Sequence, residues 1–211
     1  MQHLFLQKLF NVPRTTPHAA LQWDAGIISL KMQIIKKKML FLHHLVNLDE
    51  GSLARDMLDV QISKHLPGLV PECKILLKSL NLPNLLECKI KAKWSKMAWK
   101  NIVNKKIYEQ EESSLKQNMS QKSKLRDGSL MEETFERKEY LSTLNLHDSR
   151  IKFQLRSKML DVKFNYSAKH EHELWLCDSC CLSIEAQSHL LFCPAYAYLR
   201  EGKHSKRRSP N

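Results

Sequence analysis

Apolar side chains recur at intervals of three and four through most of this chain, the mark of amphipathic helices. Leu4, Phe5, Leu6, Leu9 and Phe10 form an apolar lead-in that Pro13-Arg14-Thr15-Thr16-Pro17 breaks. Thr16 is placed to cap a helix and Pro17 to occupy its first turn, where a missing N–H costs nothing. Ala19, Ala20, Leu21 and Trp23 follow, and Gly26 ends that helix. A second helix is expected from about Ser29 to Leu48, on Leu30, Ile34, Ile35, Phe41, Leu42, Leu45 and Val46. Successive helical residues point about 100° apart, so His43 and His44 read as one rim and one exposed histidine. Asp49-Glu50-Gly51-Ser52 is a turn ending in a cap. Leu53, Met57, Leu58, Val60 and Ile62 make the next helix, stopped by Pro67-Gly68. A short helix near Pro71 carries Ile75, Leu76 and Leu80.

The longest helical signal is expected from about Leu85, capped by Asn84, to beyond Tyr108. Leu86, Ile90, Trp94 and Met97 make one stripe, with Lys89, Lys93, Lys96 and Lys100 beside it; Trp99, Val103 and Ile107 add apolar surface further round. Ser113 to about Ser129 is rich in Ser, Lys, Gln and Asn and reads as a linker or frayed helix end. Glu132, Glu133, Glu136 and Glu139 then read as a solvated helix face. Asp148 or Ser149 is expected to cap a last long helix with the apolar row Ile151, Leu155 and Met159. The fold expected is mainly α: a helical linker domain over 1–117, a linker and short helix over 118–147, a basic helix plus a small zinc-knuckle module over 148–200, and a basic tail over 201–211.

Composition sharpens this picture. Five glycines in 211 residues and 43% hydrophobic residues favour a helical globular protein over a β-sandwich or a disordered chain. No stretch approaches a membrane span, because Lys36-Lys37-Lys38 interrupts the most apolar region. The N-terminal stretch is too short and too broken by Gln and Lys for a signal peptide. Six cysteines lack the spacing of a disulfide framework, which suits a reducing, intracellular compartment. A net charge of +12 points to a polyanionic partner, with nucleic acid ahead of an acidic membrane surface.

The chemistry concentrates near the C-terminus, in Cys177-Asp178-Ser179-Cys180 followed by His189 and Cys193. Zinc takes four tetrahedral ligands from thiolate and imidazole, and a two-residue gap lets a tight knuckle offer both sulfurs to one ion. The three-residue gap puts His189 and Cys193 on one face of a helical turn. Leu174-Trp175-Leu176 is expected as a short strand entering the knuckle, with Leu190, Leu191 and Phe192 covering the site. Cys181, His170 and His172 leave one ligand position open to substitution. A closed four-ligand site has no open position for substrate, so this zinc is expected to be structural. Arg150, Lys152, Arg156 and Lys158 precede the knuckle and Lys206, Arg207 and Arg208 follow it, well placed for phosphates.

Several stretches together resemble the region downstream of the reverse-transcriptase domain in non-long-terminal-repeat retrotransposons, above all the group with a restriction-like endonuclease. They are Asn11-Val12-Pro13-Arg14-Thr15-Thr16-Pro17 with the Ala-Leu-x-Trp that follows, Phe41-Leu42-His43-His44-Leu45, Tyr140-Leu141-Ser142, Arg156-Ser157-Lys158-Met159-Leu160-Asp161-Val162-Lys163, and the knuckle. The resemblance implies a helical thumb-and-linker segment, a knuckle that helps hold template RNA or target DNA, and Cys177, Cys180, His189 and Cys193 as zinc ligands. The chain departs from that family in having no Asp-Asp pair and no Asp among the 18 residues after Cys193. Neither the polymerase nor the endonuclease metal site is therefore expected, and no Gly-rich phosphate loop or G-x-S-x-G supplies another catalytic set.

These readings converge on a non-catalytic fragment of a retroelement protein that binds RNA or DNA through phosphates and takes no small-molecule substrate. The tail cluster adds nuclear import as one role. The rival expectation is a protein-interaction module docking through the knuckle and the Trp-bearing helix, or a remnant without function.

Overall fold

Serine and asparagine side chains start the main helices. Ser29 accepts the N–H of Met32 at 3.4 Å, Ser52 that of Arg55 at 3.4 Å, Ser95 that of Ala98 at 3.2 Å, and Asn145 that of Asp148 at 2.9 Å. Each bond satisfies a donor that the helix itself leaves orphaned. The computed structural model describes residues 2–86, 94–122, 125, 133–165 and 175–201. Among them the helices are α1 Gln2–Phe10, α2 His18–Ala25, α3 Leu30–Val46, α4 Leu53–Ser63, α5 Leu69–Ser79, α6 Lys96–Ser120, α7 Tyr140–Thr143, α8 Leu146–Arg156, α9 Gln187–Phe192 and α10 Ala197–Glu201. The protein is mainly helical, and the described residues hold one isolated β-bridge in place of strands.

The long helix differs from expectation at both ends. α6 starts at Lys96 under a Ser95 cap; Asn84 accepts the N–H of Leu86 at 3.1 Å, and 87–93 lie outside the described residues. Met97 is exposed, so the stripe through Leu86, Trp94 and Met97 is not the buried face; Ile90, Lys89 and Lys93 lie outside the described residues. The buried row is Trp99, Val103, Ile107, Glu111, Leu115 and Met119, at strict four-residue spacing. Residues 113–120 are therefore core helix, and the polar composition that suggested a linker belongs to their solvated side.

That row packs on α3 and α2. The indole Nε1 of Trp99 donates to Met39 O at 3.0 Å, and His43 stacks on the same indole at 5.8 Å and 11°. His43 is buried and His44 exposed, as the 100° offset requires. Glu111 is buried and turned towards the N-terminus of α3, where Ser29 N–H donates to Oε1 at 2.8 Å and Ser29 Oγ to Oε2 at 3.2 Å. A carboxylate there meets the positive end of the helix dipole.

The same apolar cluster reaches from Leu6 through Leu115 and Met119 to Phe135, Tyr140 and Phe153, across the boundary expected at 117. The rings of Phe10 and Phe153 stack at 4.2 Å, joining α8 to α1. In α8 the buried positions are Ser149 and Phe153; Ile151 is exposed, and Asn145 rather than Asp148 or Ser149 is the cap. Glu133, Glu136 and Glu139 do not lie on a helix, while Glu132 lies outside the described residues.

Candidate metal centre

The C-terminal module hangs from α8 by a few polar ties. Gln187 Nε2 donates to Leu155 O at 2.7 Å and the N–H of Phe164 to Glu185 O at 3.2 Å. Phe164 meets the edge of Trp175 at 6.5 Å. The two arms of the knuckle are pinned by Cys177 N–H to Ser183 O at 2.9 Å and Glu185 N–H to Trp175 O at 2.7 Å. Only Leu176 and Ile184 pair as a bridge, so the expected strand shrinks to a single antiparallel contact; Leu174 lies outside the described residues.

Between those pins the chain reverses. Cys181 N–H donates to Cys177 O at 2.8 Å, and Cys181 itself takes the left-handed backbone with φ 53°. Cys181 is exposed, while Cys180 stays with the cluster and accepts the N–H of Leu182 at 3.4 Å. The second half is α9, which begins at Ala186 and places His189 four residues before Cys193. Arg200 of α10 donates to Leu191 O at 3.2 Å and Cys193 O at 2.8 Å, holding the carbonyl end of α9.

One ligand atom from each of Cys177, Cys180, His189 and Cys193 lies within 4.8 Å of all the others, so the group could hold a metal ion. Cys177 Sγ and Cys193 Sγ are 3.9 Å apart, and Cys180 Sγ and His189 Nε2 3.3 Å. A tetrahedral zinc, with metal–ligand bonds of about 2.0–2.3 Å, spaces its ligand atoms about 3.3–3.8 Å apart. The geometry and the donor chemistry both fit. Burial pushes the Cys177 thiol up, but the amide groups of Cys180 and Ser179, with His189 and Cys193, outweigh it and bring it down to about 6. The lowering favours the thiolate, the form that binds metal, while burial and the neighbouring sulfurs push the Cys193 thiol up. Leu191 and Phe192 do not cover the cluster as expected; both are exposed. His170 and His172 lie outside the described residues.

The basic residues before the knuckle are dispersed over different tasks. Arg150 Nε donates to Leu9 O at 2.7 Å, capping the carbonyl end of α1. Arg156 is turned inward, with Nε 3.0 Å from Asp24 Oδ2 and a two-pronged pair to Glu133 at 2.9 Å and 2.9 Å. Lys138 joins Glu133 at 2.9 Å, and Tyr140 Oη donates to Asp24 Oδ2 at 2.7 Å. Lys152 is exposed with its Nζ 5.1 Å from the Tyr140 ring centroid, and Lys158 sits half-buried where α8 ends. Lys206, Arg207 and Arg208 lie outside the described residues. Asp24 escaped sequence reading. Its one signal is an acid inside the apolar run Ala19 to Ala25, a position that must be paired if buried.

Fold and site together define a helical protein carrying a closed Cys3His cluster able to hold a metal ion. Comparison with protein-family models, with curated proteins and with solved structures finds no match.

Proposed function

We propose that this chain is a non-catalytic nucleic-acid-binding protein whose C-terminal module is folded around a structural zinc ion. The observation that carries the reading is the cluster of Cys177, Cys180, His189 and Cys193 within 4.8 Å. Four protein ligands leave no coordination position for water or substrate, so zinc here would fold the module rather than activate a nucleophile. A net charge of +12 supports a phosphate-bearing partner, RNA or DNA. Arg150 and Arg156 are engaged within the fold; Lys152 is exposed, and with Lys158, Lys206, Arg207 and Arg208 it makes up the basic set proposed for phosphate. The knuckle is also one of the stretches that carry the resemblance to the region downstream of a retrotransposon reverse transcriptase, and the basic tail suits nuclear import. No described helix is long and apolar enough to cross a membrane.

A second reading, a protein-docking module, is favoured by the exposed side chains of Leu191 and Phe192 on α9. Docking through Trp99 is not part of it, since that side chain is fully buried. Binding to single-stranded RNA and duplex DNA across a salt series separates the two. Phosphate binding gives a log–log slope of about 0.9 per phosphate on duplex and about 0.7 on a single strand. Changing Lys152 and Lys158 to Ala should flatten it by about one unit or more for all sequences alike. Weak binding that vanishes at moderate salt, indifferent to both changes, would favour protein docking instead.

A further inference from the structure

Helix α4 is amphipathic with its larger apolar face turned outward. Leu53, Met57 and Val60, at i, i+4 and i+7, share one face, and Leu53 is 79% and Met57 56% exposed. Leu58 is the only α4 residue buried. Acidic residues border the face: Asp49 and Glu50 precede the helix and Asp56 lies beside it, while Asp59 is held by Arg55. The single arginine, Arg55, is drawn away, donating to Val46 O and pairing with Asp59 at 3.0 Å.

On the same subdomain, α3 and α5 leave an open groove of about 580 Å³. Its walls include Ile34 and Ile75, which are 56% and 69% exposed. Lys31 borders it, and a Lys38–Glu72 ion pair of 2.5 Å closes one side. Of the charged residues lining the groove, Lys31 and Lys38 are basic and Glu72 is acidic, and the rest of α3 and α5 adds Lys36, Lys37, Lys74 and Lys78 but no further acid.

An apolar ridge bordered by acids and an apolar groove bordered by lysines on one chain are complementary in charge. We propose that the protein is a two-fold dimer in which α4 of each copy lies in the α3–α5 groove of the other. A closed two-fold arrangement uses both contacts twice, burying the ridge and the groove together. Charge explains why the partner is a second copy. A chain of net charge +12 repels itself except where its acidic segment meets its basic one. The apolar residues supply the affinity, and the lysine–carboxylate pairs fix orientation. This assignment is independent of the metal centre and of nucleic-acid binding.

The test is sedimentation equilibrium on the full chain, across roughly 1–100 µM, with three proteins. Wild type should dimerise. Met57→Asp and Ile34→Asp should each weaken association by about tenfold or more, the scale of losing a central apolar contact. Both positions are exposed, so helix content by circular dichroism should stay unchanged. Mixing the two variants in equal amounts should restore association, because the mixed pair keeps one intact ridge-in-groove contact. Wild-type protein that stays monomeric overturns the proposal. So does association that neither variant disturbs, or variants whose mixture fails to recover.

Discussion

Arg156 and Asp24 are 132 residues apart in sequence and form an ion pair of 3.0 Å that ties α8 to α2. Asp24 is 0% exposed, and its second oxygen also receives Arg156 at 3.3 Å while Tyr140 donates to the first. A carboxylate this deep is tolerated because every lone-pair direction that matters is met.

Removing the cation should therefore hurt more than removing the pair. Arg156→Ala should cost about 3 kcal/mol, the low end for breaking a buried pair because the guanidinium keeps some solvent. The combination Asp24→Asn with Arg156→Met should recover much of that loss. Urea unfolding of the single and double variants checks both statements, and equal losses would refute the account.

Glu133 gives the network a pH dependence. The Arg156 hydrogen bonds, with Lys138 helping against partial burial, hold its carboxyl down from the ordinary 4.5 to about 2. A depressed folded-state value means that its stabilisation is complete above about 4.5 and is lost as pH falls towards about 2. The stability gap between wild type and Glu133→Gln should shrink across that window and stay constant from there to neutrality. Thermal melts at stepped pH measure the gap.

Gly26 should resist any side chain. It closes α2 with φ 62°, and a Cβ there would lie 2.2 Å from Arg137 N and 2.6 Å from the Glu136 carbonyl carbon. The left-handed backbone alone costs about 1–2 kcal/mol for an L-residue, and the clash adds displacement of the 133–139 segment. Gly51, at φ 87° with open space around its Cβ position, should pay only the backbone part. Chemical denaturation of Gly26→Ala and Gly51→Ala should show the first much the larger.

Metal removal should act locally. Reduced protein should bind one zinc, and chelation should alter Trp175 fluorescence while most helical signal persists, since the ligands lie outside the main apolar cluster. Cys177→Ala, Cys180→Ala and His189→Ala should each abolish binding. Cys181→Ala should leave it intact, because that side chain is exposed and is not among the four clustered ligands. Metal analysis of the four variants decides the ligand set.

Sequence alone determined the helical class, the Ser52 cap, the Gly26 stop, the split of His43 from His44, and the grouping of Cys177, Cys180, His189 and Cys193. These are local matters: a period, a cap or a ligand spacing acts over a few residues, so neighbours in sequence carry the signal. Tertiary structure alone decided the rest. Leu115 and Met119 became core because α6 continues along α3 and α2, although their polar neighbours read as a linker. Phe153 replaced Ile151 as the buried anchor of α8 because Phe10 waits opposite it. Cys181 was set apart from Cys180 by its own left-handed backbone. Arg156, a surface cation by periodicity, was drawn inward by Asp24. Burial and charge pairing depend on partners distant in the chain, and no spacing along the sequence encodes which partner arrives.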